Sequence, residues 1–407
     1  MKCRHCQMPL SDVFLDLGSA PPSNAYLIEA ALHAPEVNYP LRLFVCGTCR
    51  LVQTQDFASA DTLFNDDYAY FSSTSNSWLA HASRYAAMVT DRLTLGSASH
   101  VVEVACNDGY LLRNFVEADI PCLGIEPTAS TADAADALGV PVLREFFCEA
   151  TGHRLAAEKR QADLIIGNNV YAHVPEINDF TLGIVALLKP EGVVTLEFPH
   201  LMQLVEHCQF DTVYHEHFSY LSLLTVRQIF AKAGLRIFDV EQLSTHCGSL
   251  RIWGCLNDAS HSIRPSVSSI LSEEQARGMD GAAFYRGFQP RAEQIKDDLL
   301  RFLLKAHSEG KQVAGYGAAA KGNTLLNFTG VKPNLLPFIC DAAPSKQGKL
   351  MPGSHIPILP PSVLDRDPPD YILILPWNIS AEVRNQLAHL AAKGTQFVTA
   401  VPHLTIT

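Results

Sequence analysis

Residues 214–217 read Tyr-His-Glu-His, which sets a phenol, two imidazoles and a carboxylate side by side, with Phe218 and Tyr220 close behind. Each of these groups can hold, give or take a proton, and histidine is the one that titrates nearest working pH. Two chemistries follow from the residue types: removal of a proton from a substrate, or a metal held by His215 and His217. The shared face is open, since 214 and 217 align on a helix whereas 215 and 217 align on a strand. A metal at the two histidines would need at least one further ligand, which argues against it. A second reactive set stands at the front, with Cys3 and Cys6 in "CRHC" and Cys46 and Cys49 in "CGTC". Two C-x-x-C turns aim four thiolates at one ion, the closed tetrahedral set of a structural zinc with no open catalytic position. His5, inside the first knuckle, is then superfluous as a ligand. Neither pair opens a helix after a strand, as a redox pair would.

Something larger must hold these groups. The chain has 407 residues, too many for one core, so two or three domains are expected. Hydrophobic residues make up 47% and charged residues 18%, the balance of a well-packed soluble protein. A net charge of −11 argues against a nucleic-acid partner. No run of apolar residues is long enough to span a membrane, and "MKCRHCQMPL" lacks the apolar stretch of a signal peptide. Of 11 cysteines, those outside the two knuckles are scattered singly, which fits a reducing cytoplasm. Nothing resembling a coiled coil demands a partner, so a monomer or weak oligomer is expected.

From "HVVEVACNDG" onward, short apolar runs alternate with helix-length segments: "PCLGIEPT", "PVLREFF", "ADLIIGNNVYAHV", "GVVTLEFPH". This is the α/β pattern of a parallel sheet with helices on both faces, whose ligands sit at the carboxyl ends of the strands. The first turn has one glycine, Gly109, after Asn107 and Asp108, and lacks the extra glycines that cradle a pyrophosphate. It suits a neutral or cationic ligand. Glu126, at the end of the next strand, is placed for a ribose diol, although it also reads as a solvated strand end, and Asn107 and Asp108 also read as turn formers. S-adenosylmethionine fits the set, with Glu103, Asn107, Asp108, Gly109, Glu126 and Asn168 as candidate cofactor residues. A nicotinamide dehydrogenase is the competing reading, weakened by the missing glycines. The amphipathic "LLTVRQIFAKAG" and two late strands complete a seven-stranded sheet, which puts the Tyr-His-Glu-His stretch on a carboxyl-end loop above the cofactor. Farther on, "KQVAGYGAAAKGNTLLNF" gives a second strand–turn–helix unit, with Lys321 and Asn323 at the helix start, suited to a diphosphate.

In order, the double C-x-x-C, "EVACNDG", "YHEHFSYLS" and "GYGAAAKGNTLLN" resemble the nucleotide-sugar C-methyltransferases of branched-deoxysugar biosynthesis across essentially the whole chain. The resemblance implies S-adenosylmethionine-dependent methylation of C3 in a 4-keto-6-deoxyhexose carried on dTDP. It implies a zinc-binding domain (1–70), a class I methyltransferase Rossmann-like domain (71–270) and a Rossmann-like nucleotide-sugar domain (271–407). It makes His217 the general base, with His173 and His215 as rivals, and places Tyr214 and Glu216 in the sugar pocket. From "DYAYFSSTSNSW" it implies Tyr68, Tyr70, Ser72 and Ser73 beside the sugar, and from "GNNVYAHV" it implies Asn169 and His173 facing the reacting centre. Tyr214 and Asn169 are candidates to steady an enolate oxygen. The chain departs from the family at Ala105, where glycine is common. A nucleotide-sugar oxidoreductase or epimerase, O- or N-methylation of the same sugar, and a noncatalytic nucleotide-sugar scaffold remain alternatives.

Overall fold

The computed structural model describes residues 1–55, 57 and 71–407; Tyr68 and Tyr70 lie outside them. Strands β1 (Asp12–Ala20), β2 (Tyr39–Val45) and β3 (Val52–Thr54) form an antiparallel sheet after the first cysteine knuckle. The alternation in "YPLRLFV" explains β2: Leu41, Leu43 and Val45 are buried, and the residues between them are partly exposed.

The middle of the chain supplies β4 (Val101–Val104), β5 (Cys122–Ile125), β6 (Val142–Leu143), β7 (Ala162–Asn168) and β8 (Leu188–Pro199). These pair in parallel, while β10 (Leu235–Leu243) and β11 (Ser249–Leu256) close the sheet as an antiparallel pair against β8. The spatial order is β10-β11-β8-β7-β4-β5-β6. Strand order reverses between β4 and β7, so the crevice at their carboxyl ends is the ligand position expected of a doubly wound sheet. This is the seven-stranded sheet expected from the sequence. Between β8 and β10 the short strand β9 (Ser219–Tyr220) pairs with β3, so the N-terminal sheet borrows its last strand from the middle of the chain.

Two helix starts are capped by serines. Helix α1 (Asn76–Leu93) is capped by the Ser75 hydroxyl, which accepts from the Trp78 N–H. Helix α2 (Leu223–Ala233) begins where the Ser222 hydroxyl accepts from the Thr225 N–H and ends on Gly234 at φ +92°. The Leu223 and Leu224 N–H groups donate to the buried Glu274 carboxylate on α3 (Pro265–Ala276), which also holds His200 at 2.8 Å. Glu274 thus takes up two of the orphan donors that a helix start leaves.

Helix α4 (Phe288–Ser308) leads to the rear sheet, ordered β14-β13-β12-β15-β16-β17, from β12 (Val313–Tyr316), β13 (Ile339–Cys340), β14 (Ile358–Leu359), β15 (Tyr371–Ile374), β16 (Gln396–Thr399) and β17 (Thr405–Ile406). All neighbours are parallel except β17. Its switch point lies between β12 and β15, where α5 (Ala320–Thr329) starts.

Ala105 and Asn107 both stand in the left-handed region, at φ +56° and +50°. Asparagine tolerates this, whereas an alanine Cβ there meets the carbonyl oxygen. Ala105→Gly is therefore expected to stabilise the chain by about 1 kcal/mol, or roughly 2–4 °C in thermal midpoint. A drop in midpoint, the ordinary entropic effect of a new glycine, would show that this turn carries no strain.

Candidate active site

Residues 214–217 form neither a helix nor a strand. The His217 N–H donates to the Tyr214 carbonyl at 3.2 Å, closing a turn that puts both rings on one side, with centroids 5.0 Å apart. The His217 ring also meets His173 edge-on at 4.5 Å and Tyr220 at 5.9 Å. His173 follows β7, and its Nδ1 lies 2.8 Å from the Glu216 carbonyl. A carbonyl only accepts, so Nδ1 carries a proton and is the donor. The two loops at the carboxyl ends of β7 and β8 are thereby tied through their histidines.

His215 turns away. Its Nε2 reaches the Tyr39 carbonyl of β2 at 3.1 Å, and burial lowers its pKa. Among the described residues, the only cluster of three or more metal-type ligands is the four cysteines, so the metal reading of the two histidines finds no support there.

Glu216 is buried, and burial pushes its carboxyl up to about 7, with a hydrogen bond to Asn24 opposing the shift. An unfolded glutamate ionises near 4.5, so between pH 4.5 and 7 the folded chain holds a proton the unfolded chain has released. Stability from this group is complete below that window and is lost as pH rises through it. Glu216→Gln is expected to remove on the order of 3 kcal/mol of that decline. Denaturant midpoints of the two proteins should diverge between pH 5 and 8, and parallel curves would refute the assignment.

The cofactor turn is built from backbone as much as from side chains. The Glu126 carboxylate accepts from the N–H groups of Asn107 (3.0 Å) and Thr128 (2.9 Å), which fixes its direction and leaves each oxygen a lone pair. A Cβ on Gly109, at φ +76°, would press to 3.1 Å on Ala135, so the close pass of the turn over the helix Ala129–Ala137 needs glycine. The Ser72 and Ser73 N–H groups donate to the Asn107 and Asp108 side chains at 2.9 and 3.0 Å. Ser72 and Ser73 therefore lie on the cofactor turn. Glu103 is fully buried, and neither its oxygens, Asp108 Oδ1 nor the Asn168 amide makes a hydrogen bond of normal geometry. Burial, with Glu126 and Asp108 nearby, raises the Glu103 pKa well above its usual value. Such a cluster suits a ligand that donates hydrogen bonds or carries positive charge. Asn169 stands at φ +55°, with its N–H on the Glu197 carbonyl at 2.7 Å.

In the rear unit Lys321 lies near the start of α5, with Nζ on Asn378 Oδ1 at 2.6 Å and 4.8 Å over the Trp377 ring. Asn323 is buried and its Oδ1 accepts from Asn327. Sequence reasoning misses two residues that connect this unit to the histidine loop. Trp377 Nε1 donates to the fully buried Asp211 at 2.7 Å, and burial lifts that carboxyl to about 6. Thr324 on α5 donates to the Val213 carbonyl. A signal for the first pair exists: Asp211 is a lone charge in "CQFDTV", and Trp377 follows β15 at the switch point.

The four cysteine sulfurs lie within 4.8 Å of one another, with Cys3–Cys49 at 3.5 Å and Cys6–Cys46 at 3.4 Å. Sulfurs at tetrahedral corners 2.3 Å from zinc stand about 3.8 Å apart, so the cage fits the metal. Gln53 Nε2 donates to Cys3 Sγ at 3.3 Å, the outer support usual for such sites.

Family models match three stretches of the chain: a zinc-binding domain over residues 3–64, a methyltransferase domain over 78–240 and a C-methyltransferase C-terminal domain over 244–402. A curated relative, the C-methyltransferase NovU of Streptomyces niveus, is 33% identical over 404 residues, covering 98% of this chain and 95% of its own length. The chain belongs to this C-methyltransferase family. Solved structures similar to part of the C-methyltransferase include magnesium protoporphyrin IX methyltransferase of Synechocystis PCC 6803 with bound S-adenosylhomocysteine (14% identity, 43% of this chain, 82% of that one, TM-score 0.35). Another is the 1,6-didemethyltoxoflavin-N1-methyltransferase of Burkholderia thailandensis (15% identity, 52% of this chain, 98% of that one, TM-score 0.39). The C-methyltransferase depends on S-adenosylmethionine, and the buried Glu103 carboxyl, Asp108 Oδ1 and Asn168 amide fit that cofactor's cationic centre and amino acid end. When bound, it supplies an electrophilic methyl group. No helix among the described residues is long and apolar enough to cross a membrane.

Proposed function

We propose that this C-methyltransferase adds a methyl group to C3 of a dTDP-linked 4-keto-6-deoxyhexose. The proton at C3 is acidic because the C4 ketone delocalises the resulting charge onto oxygen. His217 takes that proton. His173, with Nδ1 committed to the Glu216 carbonyl, orients the His217 ring and is the rival base. Tyr214 and Asn169 donate to the enolate oxygen, and buried Glu216 binds a sugar hydroxyl or amine. Ser72 and Ser73, whose N–H groups hold the Asn107 and Asp108 side chains, border the sugar on its cofactor side. Lys321 and Asn323, at the start of α5, take the diphosphate. Glu103, Asn107, Asp108, Gly109, Glu126 and Asn168 hold the cofactor, with the Glu126 lone pairs on its ribose.

The observation that carries this reading is the edge-on His173–His217 pair on the loops above the β4–β7 crevice. A carbon acid needs a base at that place; transfer to a hydroxyl or amine sheds a proton too, so exchange of the C3 proton is what separates the reactions. The test is proton exchange at C3 of the dTDP-4-keto sugar in deuterated buffer without S-adenosylmethionine, followed by NMR. Exchange, and then a hydrolysis-resistant mass gain when the cofactor is added, is the expected result. Methyl transfer without prior exchange would move the reaction to oxygen or nitrogen.

A further inference from the structure

The zinc knuckle does more than close the N-terminal fold. Arg4 lies between the ligands Cys3 and Cys6, and its side chain leaves the knuckle toward the loops that carry the two facing histidines. Its Nη1 donates to the Pro175 carbonyl at 2.7 Å, two residues beyond His173. Its Nη2 donates to the Thr54 carbonyl at 3.3 Å, and its guanidinium carbon stands 5.4 Å from the centre of the Phe218 ring, the residue after His217. The Thr54 N–H in turn donates to the Phe218 carbonyl at 3.1 Å. The knuckle end of the side chain is equally fixed: the Arg4 N–H donates to Gln53 Oε1 at 2.9 Å, the same glutamine whose amide donates to Cys3 Sγ. Asn178 closes the far side, donating to the carbonyls of Arg4 and His5.

We propose that Arg4 is a positioning residue: through it, the metal knuckle sets the distance and angle between His173 and His217. The guanidinium suits the task because its planar fork serves two carbonyls and an aromatic ring at once, which an ammonium cannot do. Small displacements matter here, since a misplacement of about 1 Å costs up to about 10²-fold in rate. The catalytic part of this inference rests on the base assigned to His217 above; the geometric part does not.

The test uses the full chain with its metal. Arg4→Ala and Arg4→Lys are compared with wild type for zinc content, for S-adenosylmethionine affinity and for the imidazole signals of His173 and His217, assigned by loss in His173→Gln and His217→Gln. In both Arg4 variants zinc and cofactor affinity are expected to hold while the two imidazole signals shift or broaden. Turnover falls roughly 10- to 100-fold with little change in KM, and added guanidinium ion restores part of it to Arg4→Ala where methylammonium does not. Unmoved histidine signals, or a loss of activity that follows loss of zinc, would overturn the proposal. If wild type methylates no 4-keto sugar, the proposed function falls, and the imidazole signals still decide the role of Arg4.

Discussion

Glutamine in place of His217 is expected to slow exchange of the C3 proton by about 10²- to 10⁴-fold, the usual contribution of a positioned general base. S-adenosylmethionine affinity is expected to be unchanged, because the cofactor groups lie on the β4, β5 and β7 turns. Glutamine keeps the length and hydrogen-bonding ability of the side chain and removes its basicity. The neighbours make the comparison informative. His173 faces the same ring edge-on, with its Nδ1 on the Glu216 carbonyl. In the orienting role proposed for it, His173→Gln should slow exchange less than His217→Gln, by loosening the ring it holds. His215 points to the Tyr39 carbonyl, so His215→Gln should affect stability more than rate. NMR of the C3 proton ranks the three variants. Should His173→Gln abolish exchange while His217→Gln leaves it, the base is His173.

The elements with strong periodic signals are legible in the amino-acid sequence alone. The β4 strand, its single-glycine turn and the seven-stranded sheet follow from apolar runs bounded by polar strand ends, and the cysteine cage follows from two C-x-x-C spacings. Side-chain direction on the histidine loop is not legible there, because a turn has neither of the regular periods that would decide it. That ambiguity is resolved by one long-range fact, the capture of Ser219–Tyr220 by β3, which pulls the loop into the N-terminal sheet. The Asp211–Trp377 bond escapes sequence reasoning for the same reason, since its partners are 166 positions apart. Turn strain at Ala105 shows in the sequence only as an odd residue in the motif; the backbone angle gives it a physical meaning.

Cys46→Ala should cost the chain its metal and, with it, much of the N-terminal fold. Three sulfurs leave an open coordination position, and structural zinc contributes roughly 10–16 kcal/mol of apparent binding energy to small domains that fold around it. Part of that would be recovered by water or His5 as a substitute ligand, so the net loss should be smaller but still well above a surface substitution. The effect should not stay local. Cys3, Cys46, Cys49 and Leu51 pack in one apolar cluster with Leu221, Leu223 and Phe230, the residues that seat α2 after the histidine loop. The Cys49 carbonyl also accepts from Thr225 and Gln228 of α2. Unfolding the knuckle therefore exposes the packing face of α2 and frees β9 from its partner. Zinc content and thermal midpoint should fall together in Cys46→Ala, and the imidazole signals of His173 and His217 should be lost. A chelator should act slowly on the wild type, because Cys3, Cys46 and Cys49 are almost fully buried. Full zinc occupancy and an unchanged midpoint in Cys46→Ala would mean that the four sulfurs do not share one ion.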